Sequence, residues 1–170
     1  MTLRIRPIAR AQETAHDAEV DLVAGRMRDT LMEVVDHDRG SEMYTMDWLR
    51  ARVRFHLDSA SCTGEVFLAE QQEATREEGS IVGHTILRID KEDPTLGLFS
   101  TFFVHPHSRR DGVASALLDS GETWFRALGL RRFATNTAAT NTKLHRLMER
   151  SGYDLVLREG EMVRFEKIEA

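Results

Sequence analysis

The stretch from Phe102 to Leu118 constrains the fold more than any other part of this chain. It reads as the end of an apolar strand, then a short basic turn, then a glycine that opens a helical stretch. The unpaired N–H groups at a helix start favour negative charge, and Gly112 lets the backbone approach a ligand closely. Arg109 and Arg110 can add charge-assisted contacts, and Ala114 keeps the first helical turn thin. The pattern is neither a P-loop nor a dinucleotide-binding turn. It predicts a site for a phosphate-rich ligand, with a plain helix start and surface arginines as the alternative.

Hydrophobic spacing predicts the elements on both sides of this turn. Apolar residues recur every three or four positions in four stretches, which indicates helices, and short apolar or alternating runs between them indicate strands. The predicted order is strand 3–6, helix 15–35, a helix with Met46, Leu49 and Val53, strands 65–70, 80–89 and 96–104, helix 112–128, strand 132–135, a helix from Asn141 or Thr142 to about Gly152, and a hairpin of 153–158 and 162–168. Gly129 is expected to end its helix, Gly121 to mark close packing, and the polar connector 71–79 to be a hairpin loop. This order indicates one mixed α/β domain over residues 1–170.

Composition limits the class of protein. The 170 residues carry 23 Lys and Arg against 28 Asp and Glu, and the net charge of −5 lacks the positive footprint of a nucleic-acid binder. A single cysteine, Cys62, excludes an internal disulfide and a multi-cysteine metal site, and it is expected to be an inert thiol. His105 and His107 flank a proline with no third ligand nearby, which favours a loop over a metal pair. No apolar run approaches membrane-spanning length, and the N-terminus lacks a secretory hydrophobic region. We therefore expect a cytoplasmic enzyme or binding domain with no nucleic-acid, membrane or metal partner.

The residues of the turn resemble a known signature. Arg109-Arg110-Asp111-Gly112-Val113-Ala114 is similar to the Gln/Arg-x-x-Gly-x-Gly/Ala motif that binds acetyl-CoA in the GCN5-related N-acetyltransferases, the GNAT family. Val104-His105-Pro106 matches the Val-x-Pro that usually precedes this motif. Ile81-Val82-Gly83 resembles the family's glycine-containing third strand, and 141–153 resembles the later helix with its closing Gly-aromatic pair. Because the order of elements also agrees from Leu3 to the final hairpin, the chain as a whole resembles this family.

The resemblance implies a fold and a chemistry. The fold is an α/β (α+β) domain with a central, mixed but mostly antiparallel sheet of about seven strands, helices on both faces, and splayed fourth and fifth strands. The pantetheine arm of acetyl-CoA would enter the gap as an extra strand. A primary amine would then attack the thioester directly, without a covalent enzyme intermediate. The acceptor would be a small-molecule amine or a peptide N-terminus, and homodimers are frequent in the family. The cofactor-binding residues carried over are Phe102, Phe103 and Val104 on the fourth strand, Arg109, Arg110, Asp111, Gly112, Val113, Ala114 and Ser115 in the turn and helix start, and Asn141 and Met148 near the later helix.

Three residues depart from the family pattern. Many members carry a tyrosine as general acid on the penultimate helix, where this chain has Met148, and a thioether donates no proton. Some relatives place carboxylates on the fourth strand, where this chain has Ser100 and Thr101. No residue is therefore assigned as acid, and the catalytic base candidates are His84 and Glu70, followed by Glu65 and His105. Ordinary strand or loop residues are the alternative for each candidate. A CoA-binding sensor or interaction module without turnover is the alternative function.

The segment between the first two helices bears on the acceptor. In the family this segment commonly borders the acceptor site. Here it holds only one arginine, Arg39, against four carboxylates: Asp36, Asp38, Glu42 and Asp47. Clustered carboxylates at a cleft mouth concentrate cationic ligands. We therefore expect a small cationic amine rather than an anionic metabolite as acceptor, with a solvated acidic loop that aids solubility as the alternative.

Overall fold

Within the described residues, seven strands and four helices follow one another in the predicted order. The computed structural model describes residues 2–34, 44–72, 80–109 and 111–170. The strands are β1 (Thr2–Pro7), β2 (Gly64–Gln72), β3 (Ser80–Ile89), β4 (Leu96–Val104), β5 (Arg132–Ala138), β6 (Asp154–Glu159) and β7 (Met162–Ile168). The helices are α1 (His16–Val34), α2 (Met46–Leu57), α3 (Val113–Ala127) and α4 (Thr142–Arg150), and a 3₁₀ turn covers Pro106–Ser108. None of the described helices is long and apolar enough to cross a membrane.

All seven strands belong to one sheet, in the order β1-β2-β3-β4-β5-β7-β6. Every neighbouring pair is antiparallel except β4 and β5, which run parallel. A parallel pair needs a long crossover connection, and here that connection contains α3. The predicted sheet, mixed but mostly antiparallel, is therefore confirmed.

The helices cover both faces of the sheet, as predicted. On one face, called the α1/α2 face here, the apolar stripes of both helices meet alternate residues of β2 and β3, in a core that includes Val20, Val23, Leu49, Val53, Val66, Leu68 and Ile86. On the opposite α3/α4 face, the core includes Phe99, Leu118, Phe125, Phe133, Leu147, Met148 and Phe165. Successive side chains of a strand point to opposite faces. The two cores therefore fix the face to which each side chain of β4 and β5 points.

Most predicted boundaries agree with the structure to within a few residues. Gly129 ends α3 with a positive φ, and Gly121 lies against the ring of Phe99, so both glycine predictions are confirmed. The strands that flank the polar connector are antiparallel neighbours, as expected for a hairpin, although residues 73–79 lie outside the described residues. The predicted strand 132–135 is too short, because β5 continues to Ala138. Its last three residues pair with β7, a strand distant in sequence.

Candidate cofactor and acceptor site

β4 and β5 diverge after a short region of pairing. Their parallel pairing runs from Leu96 opposite Arg132 to Phe99 opposite Thr135. At this last position, Thr135 Oγ1 donates a hydrogen bond to the carbonyl oxygen of Phe99 (3.0 Å). Both strands continue beyond it, but no pairing joins their described residues there. The two strands therefore enclose a V-shaped gap with its apex at Phe99 and Thr135, as predicted for the splayed pair.

The β4 side of this gap is an open backbone edge. Among the described strands, β3 alone pairs with residues 100–104, and the β3–β4 register skips Ser100, which marks a β-bulge. Phe102 points to the α3/α4 face, where its ring stacks on Phe99 (5.2 Å between centroids). Phe103 points to the α1/α2 face, under a side chain of α1. A ligand with amide groups can bond such an edge as an added strand would.

The turn after β4 is anchored to the sheet before it reaches α3. The backbone N–H of His105 donates to the carbonyl oxygen of Val82 (2.7 Å). Ser108 is buried, and its Oγ donates to Gln71 Oε1 at the end of β2 (3.1 Å). Neither Ser108 nor Gln71 was predicted as a site residue. Their hydrogen bond ties the turn to a neighbouring strand and so fixes where α3 begins.

The N-terminus of α3 is open to an anion. Gly112 precedes the helix with φ +77°, a left-handed conformation that favours glycine, and none of the described side chains caps the helix there. The carbonyl of Gly112 accepts from Ala116 N (3.0 Å), which is the first hydrogen bond of the helix. The N–H groups that precede Ala116 in α3 therefore have no partner within the helix. The other predicted residues surround this N-terminus: Val113 is buried, Ala114 and Ser115 are half-buried, Arg109 and Asp111 are exposed, and Arg110 lies outside the described residues.

The two predicted residues near α4 have structural roles in the chain itself. Asn141 caps α4, since its Oδ1 accepts from Leu144 N (3.4 Å) and its Nδ2 donates to Thr137 Oγ1 (3.2 Å). Because Thr137 belongs to β5 beyond the apex, Asn141 lies beside the gap. Met148 is 0% exposed and packs in the core of the α3/α4 face. Contacts of Asn141 and Met148 with acetyl-CoA stay predictions.

The leading base candidates lie on β2 and β3. Glu70 is two strands from the gap, and its Oε2 accepts from Arg6 Nε (2.9 Å). His84 is opposite Phe103 of β4, and the two rings stack (5.5 Å between centroids). His84 is 1% exposed, and burial, together with the charge of Arg26, lowers its pKa to about 3. The imidazole is therefore neutral at pH 7 but holds a proton only weakly.

The other two base candidates are held by local contacts. Glu65 is buried and forms an ion pair with Arg10 (2.6 Å). His105 Nδ1 accepts from His107 N (3.3 Å), and the two imidazole rings stack (5.1 Å). Across the described part of the chain, no group of three or more His, Cys, Asp or Glu residues is placed to hold a metal ion.

Tyr153, just after α4, is not the counterpart of the tyrosine that many family members have at the position of Met148. It is buried, and its hydroxyl donates to Glu122 Oε2 (2.7 Å). Burial and this hydrogen bond raise the pKa of Tyr153. Lys167 Nζ also lies 3.3 Å from Glu122. The hydroxyl proton of Tyr153 is therefore engaged by a buried carboxylate within the fold.

An open groove extends from the gap across β5, β7 and β6. Its volume is about 430 Å³, and it is lined by Asn136, Leu157, Glu159, Met162, Val163 and Arg164. Asn136 is the first residue of β5 beyond the apex, and alternation along the strand places it on the α1/α2 face. Its Oδ1 accepts from Arg164 Nε (2.9 Å). The groove was not predicted, because only tertiary pairing brings these three strands together.

Polar atoms without a partner collect around Phe103. Arg26 Nη1, His84 Nδ1 and Thr101 Oγ1 are buried and form no hydrogen bond with any of the described residues. Only His84 was predicted as a site residue. Arg26 borders the apolar stripe of α1, and its sequence surroundings do not distinguish it from the exposed arginines of the same protein.

Comparison with known proteins agrees with this geometry. The family model described as the acetyltransferase (GNAT) family matches residues 32–153. The PaiA N-acetyltransferase from Thermoplasma acidophilum in complex with coenzyme A is similar in structure, with TM-score 0.73, 14% identity, and 99% of this chain and 100% of that chain covered. An N-acetyltransferase from Staphylococcus aureus Mu50 gives TM-score 0.72 and 16% identity over 99% of each chain. A chain of the NatC complex bound to Gag peptide and CoA gives TM-score 0.68 and 13% identity over 100% of each. A search of the curated proteins found no significant match.

Proposed function

Because the chain belongs to the acetyltransferase (GNAT) family, we propose that it moves the acetyl group of acetyl-CoA to a primary amine, which attacks the thioester directly. The observation that carries this proposal is a V-shaped gap that lies next to an open helix N-terminus. The pantetheine arm would bond the open edge of β4 at 102–104, and the pyrophosphate would bind the first N–H groups of α3 at Gly112. Coenzyme A in the similar structures supports this choice of acyl donor.

The residues around the gap suggest where the amine would arrive. Phe103 of β4 and Asn136 of β5 flank the gap on the α1/α2 face, and the groove opens on the same side. An amine entering there must lose a proton before or during attack. His84 and Glu70 stay the proposed bases, and His84 is nearer because it packs on Phe103. With a pKa of about 3, His84 takes up a proton poorly. We therefore expect the rate to follow deprotonation of the amine itself.

Two measurements test the proposal. Calorimetric titration with acetyl-CoA should show binding, and a panel of amines, polyamines, antibiotics and peptides should include acceptors that release free thiol. Absence of acetyl-CoA binding by the folded chain would contradict the whole assignment.

A CoA-binding sensor or interaction module without turnover is the second candidate. It is favoured by the buried Met148 at the acid position and by the ion pair that engages Glu70. Binding of acetyl-CoA without thiol release from any acceptor would support this candidate and exclude the transferase.

The charge of the acceptor is a finer part of the proposal. Asp36, Asp38 and Glu42 lie outside the described residues, and Asp47 is exposed on α2, where it pairs with Arg50 (3.2 Å). If the acidic segment attracts the ammonium group of a small cationic acceptor, KM should rise with salt and rise again in the double variant Asp36→Asn/Asp38→Asn, while kcat changes less. A KM indifferent to both changes would exclude this role.

We also propose that residues 1–170 act as one cytoplasmic acyltransferase domain that forms a homodimer. β6 is an edge strand, and Leu155, Val156 and Leu157 are exposed on it. Apolar edge strands tend to pair with another chain. Sedimentation velocity should give twice the mass of one chain, and Val156→Lys should return the protein to a monomer.

A further inference from the structure

Arg26 holds a half-buried positive charge that the described residues do not neutralise. Its guanidinium lies over the ring of Phe103 (5.1 Å from Cζ to the centroid), and its Nη2 donates to the carbonyl oxygen of Ile81. Its Nη1 is buried without an acceptor in the described part of the chain. Burial lowers the pKa of the guanidinium. A buried donor without a partner destabilises the fold, and more so when it belongs to a charged group.

Two further unpartnered atoms belong to residues next to Phe103 in the sheet. His84 stacks on Phe103, and its buried Nδ1 has no partner among the described residues. Thr101, two residues before Phe103 on the same face of β4, also has a buried Oγ1 without a described partner. Three of the five such atoms in the described residues therefore belong to residues that contact Phe103 or precede it on the same face of β4. Because proteins pair nearly all of their buried polar groups, this clustering indicates groups that a ligand completes.

The position of the cluster connects it with the gap. Phe103 belongs to the stretch of β4 that has no described partner on its β5 side, and it points to the α1/α2 face. A molecule whose amine reaches the gap from that face would therefore extend across Phe103. At neutral pH the cluster carries one positive charge, on Arg26, since His84 is neutral. One charge balances a carboxylate rather than a doubly charged phosphate.

We propose that Arg26, with His84 and Thr101, binds a carboxylate group of the acyl acceptor, so that the acceptor is an amino-acid-like molecule with both a primary amine and a carboxylate. The proposal rests on the proposed acetyl transfer. The guanidinium would donate through Nη1, while its other nitrogen keeps the bond to Ile81. The acceptor is then zwitterionic rather than a simple cation, and Arg26 determines which amines are used.

The test compares matched amines: an amino acid, its carboxamide and the corresponding decarboxylated amine, each with acetyl-CoA and thiol release as the readout. The natural chain should prefer the acid over both analogues by about 10- to 100-fold in kcat/KM, the range expected for hydrogen bonds to a charged group. Arg26→Gln should abolish this preference, mainly by raising KM for the acid, and Arg26→Lys should keep part of it. Arg54→Gln is the matched control, because Arg54 is exposed on the neighbouring helix α2 and pairs with Asp17 (3.2 Å). It should keep the full preference.

The outcomes separate this inference from the proposed function. Equal use of acid and carboxamide by the natural chain overturns the carboxylate site and leaves acetyl transfer standing. A preference for the acid that persists in folded Arg26→Gln overturns it as well. If Arg26→Gln does not fold, an undiminished preference in Arg26→Lys is the overturning result. If acetyl-CoA binds but no amine in the panel releases thiol, acetyl transfer fails and the acceptor site fails with it.

Discussion

Gly112 and Gly129 lie at opposite ends of α3 in the same left-handed backbone region, with φ of +77° and +85°. A Cβ at either position would meet no other atom within 4 Å. Backbone conformation, rather than lack of space, therefore favours glycine at both ends of the helix. Only Gly112 lies at the proposed pyrophosphate site. Substitutions at the two glycines therefore distinguish an effect on ligand binding from an effect of backbone strain.

Gly112→Asp should weaken acetyl-CoA binding by about a hundredfold or more, because it places negative charge where the pyrophosphate approaches the backbone. Arg109→Ala should have a smaller effect, since the backbone N–H groups remain. Calorimetric titration measures both affinities. Gly129→Asp is the control: it meets the same kind of strain and should bind acetyl-CoA normally. Normal affinity in folded Gly112→Asp would contradict the proposed cofactor site.

Met148→Leu should leave turnover within about tenfold of the natural chain, about 1.4 kcal/mol or less, because the two side chains have similar volumes and neither donates a proton. The measurement is steady-state thiol release with a fixed acceptor. Met148→Tyr, in contrast, forces a larger group into a fully buried site and should lower the free energy of unfolding by about 1–3 kcal/mol. A loss of several hundredfold in folded Met148→Leu that still binds acetyl-CoA would show that the sulfur has a chemical role.

The residues of the proposed cofactor turn are adjacent in the sequence, whereas those of the proposed acceptor side are not. Gly112 and its neighbours form a contiguous segment, so their spacing is visible in the sequence. Arg26, His84 and Thr101 come from α1, β3 and β4, and only the packing of the helix on the sheet brings them close to Phe103. An arginine at the border of an apolar stripe gives no local sign that one of its nitrogen atoms is buried. The sequence therefore indicated a donor site and gave no position for the acceptor's carboxylate.

The start of α4 combines a helix cap with a position beside the gap. Asn141 supplies the cap through Oδ1 and a bond to β5 through Nδ2. Serine also caps helices well but lacks the amide donor, whereas alanine supplies neither group. The two substitutions can therefore separate the capping of the helix from the predicted contact with acetyl-CoA.

Asn141→Ala should lower the free energy of unfolding by about 1 kcal/mol through loss of the cap, and Asn141→Ser should lower it less. Both variants should bind acetyl-CoA more weakly if the amide contacts the donor, as predicted. Urea unfolding and calorimetric titration supply the two readouts. Unchanged acetyl-CoA affinity in Asn141→Ser would show that the residue is only a cap.

β5 shows where the local sequence pattern no longer suffices to predict the extent of a strand. Apolar content predicts its first half, up to Thr135, whereas the second half is polar and is a strand because β7 pairs with it. That polar half is the part that forms one wall of the gap and one end of the groove. The long amphipathic helices were predicted well, since each is specified by its own spacing. Strand ends set by distant partners were not.

Two neutral histidines are buried in different parts of the molecule. Burial lowers the pKa of His84 to about 3 and that of His56 in α2 to about 4, although a hydrogen bond between His56 and the Arg52 carbonyl acts in the opposite direction. An unfolded histidine has a pKa of about 6.5. Below that pH the unfolded chain binds protons that the folded chain does not. Their contribution to stability is therefore complete above pH 6.5 and is lost as the pH falls.

The free energy of unfolding should fall by about 2 kcal/mol for each of these histidines between pH 7 and pH 5. Urea unfolding at the two pH values measures the loss. His84→Gln should reduce that loss by about 2 kcal/mol, because glutamine does not titrate. His107→Gln, at an exposed position, should leave it unchanged. An acid-induced loss as large in His84→Gln as in the natural chain would mean that His84 is already protonated in the fold or titrates normally.

The open edge of β4 also bears on how sequences with this architecture diverge. A donor bound along that edge would be read through main-chain N–H and C=O groups, which every residue type supplies apart from the missing N–H of proline. Mutations across 100–104 can then accumulate without removing a main-chain group that recognises the donor, as long as the strand keeps its course. Few positions then restrict which residue can be present, and Gly112 is the first of them. Because main-chain groups would bind the donor, chains with little sequence in common could retain the same cofactor.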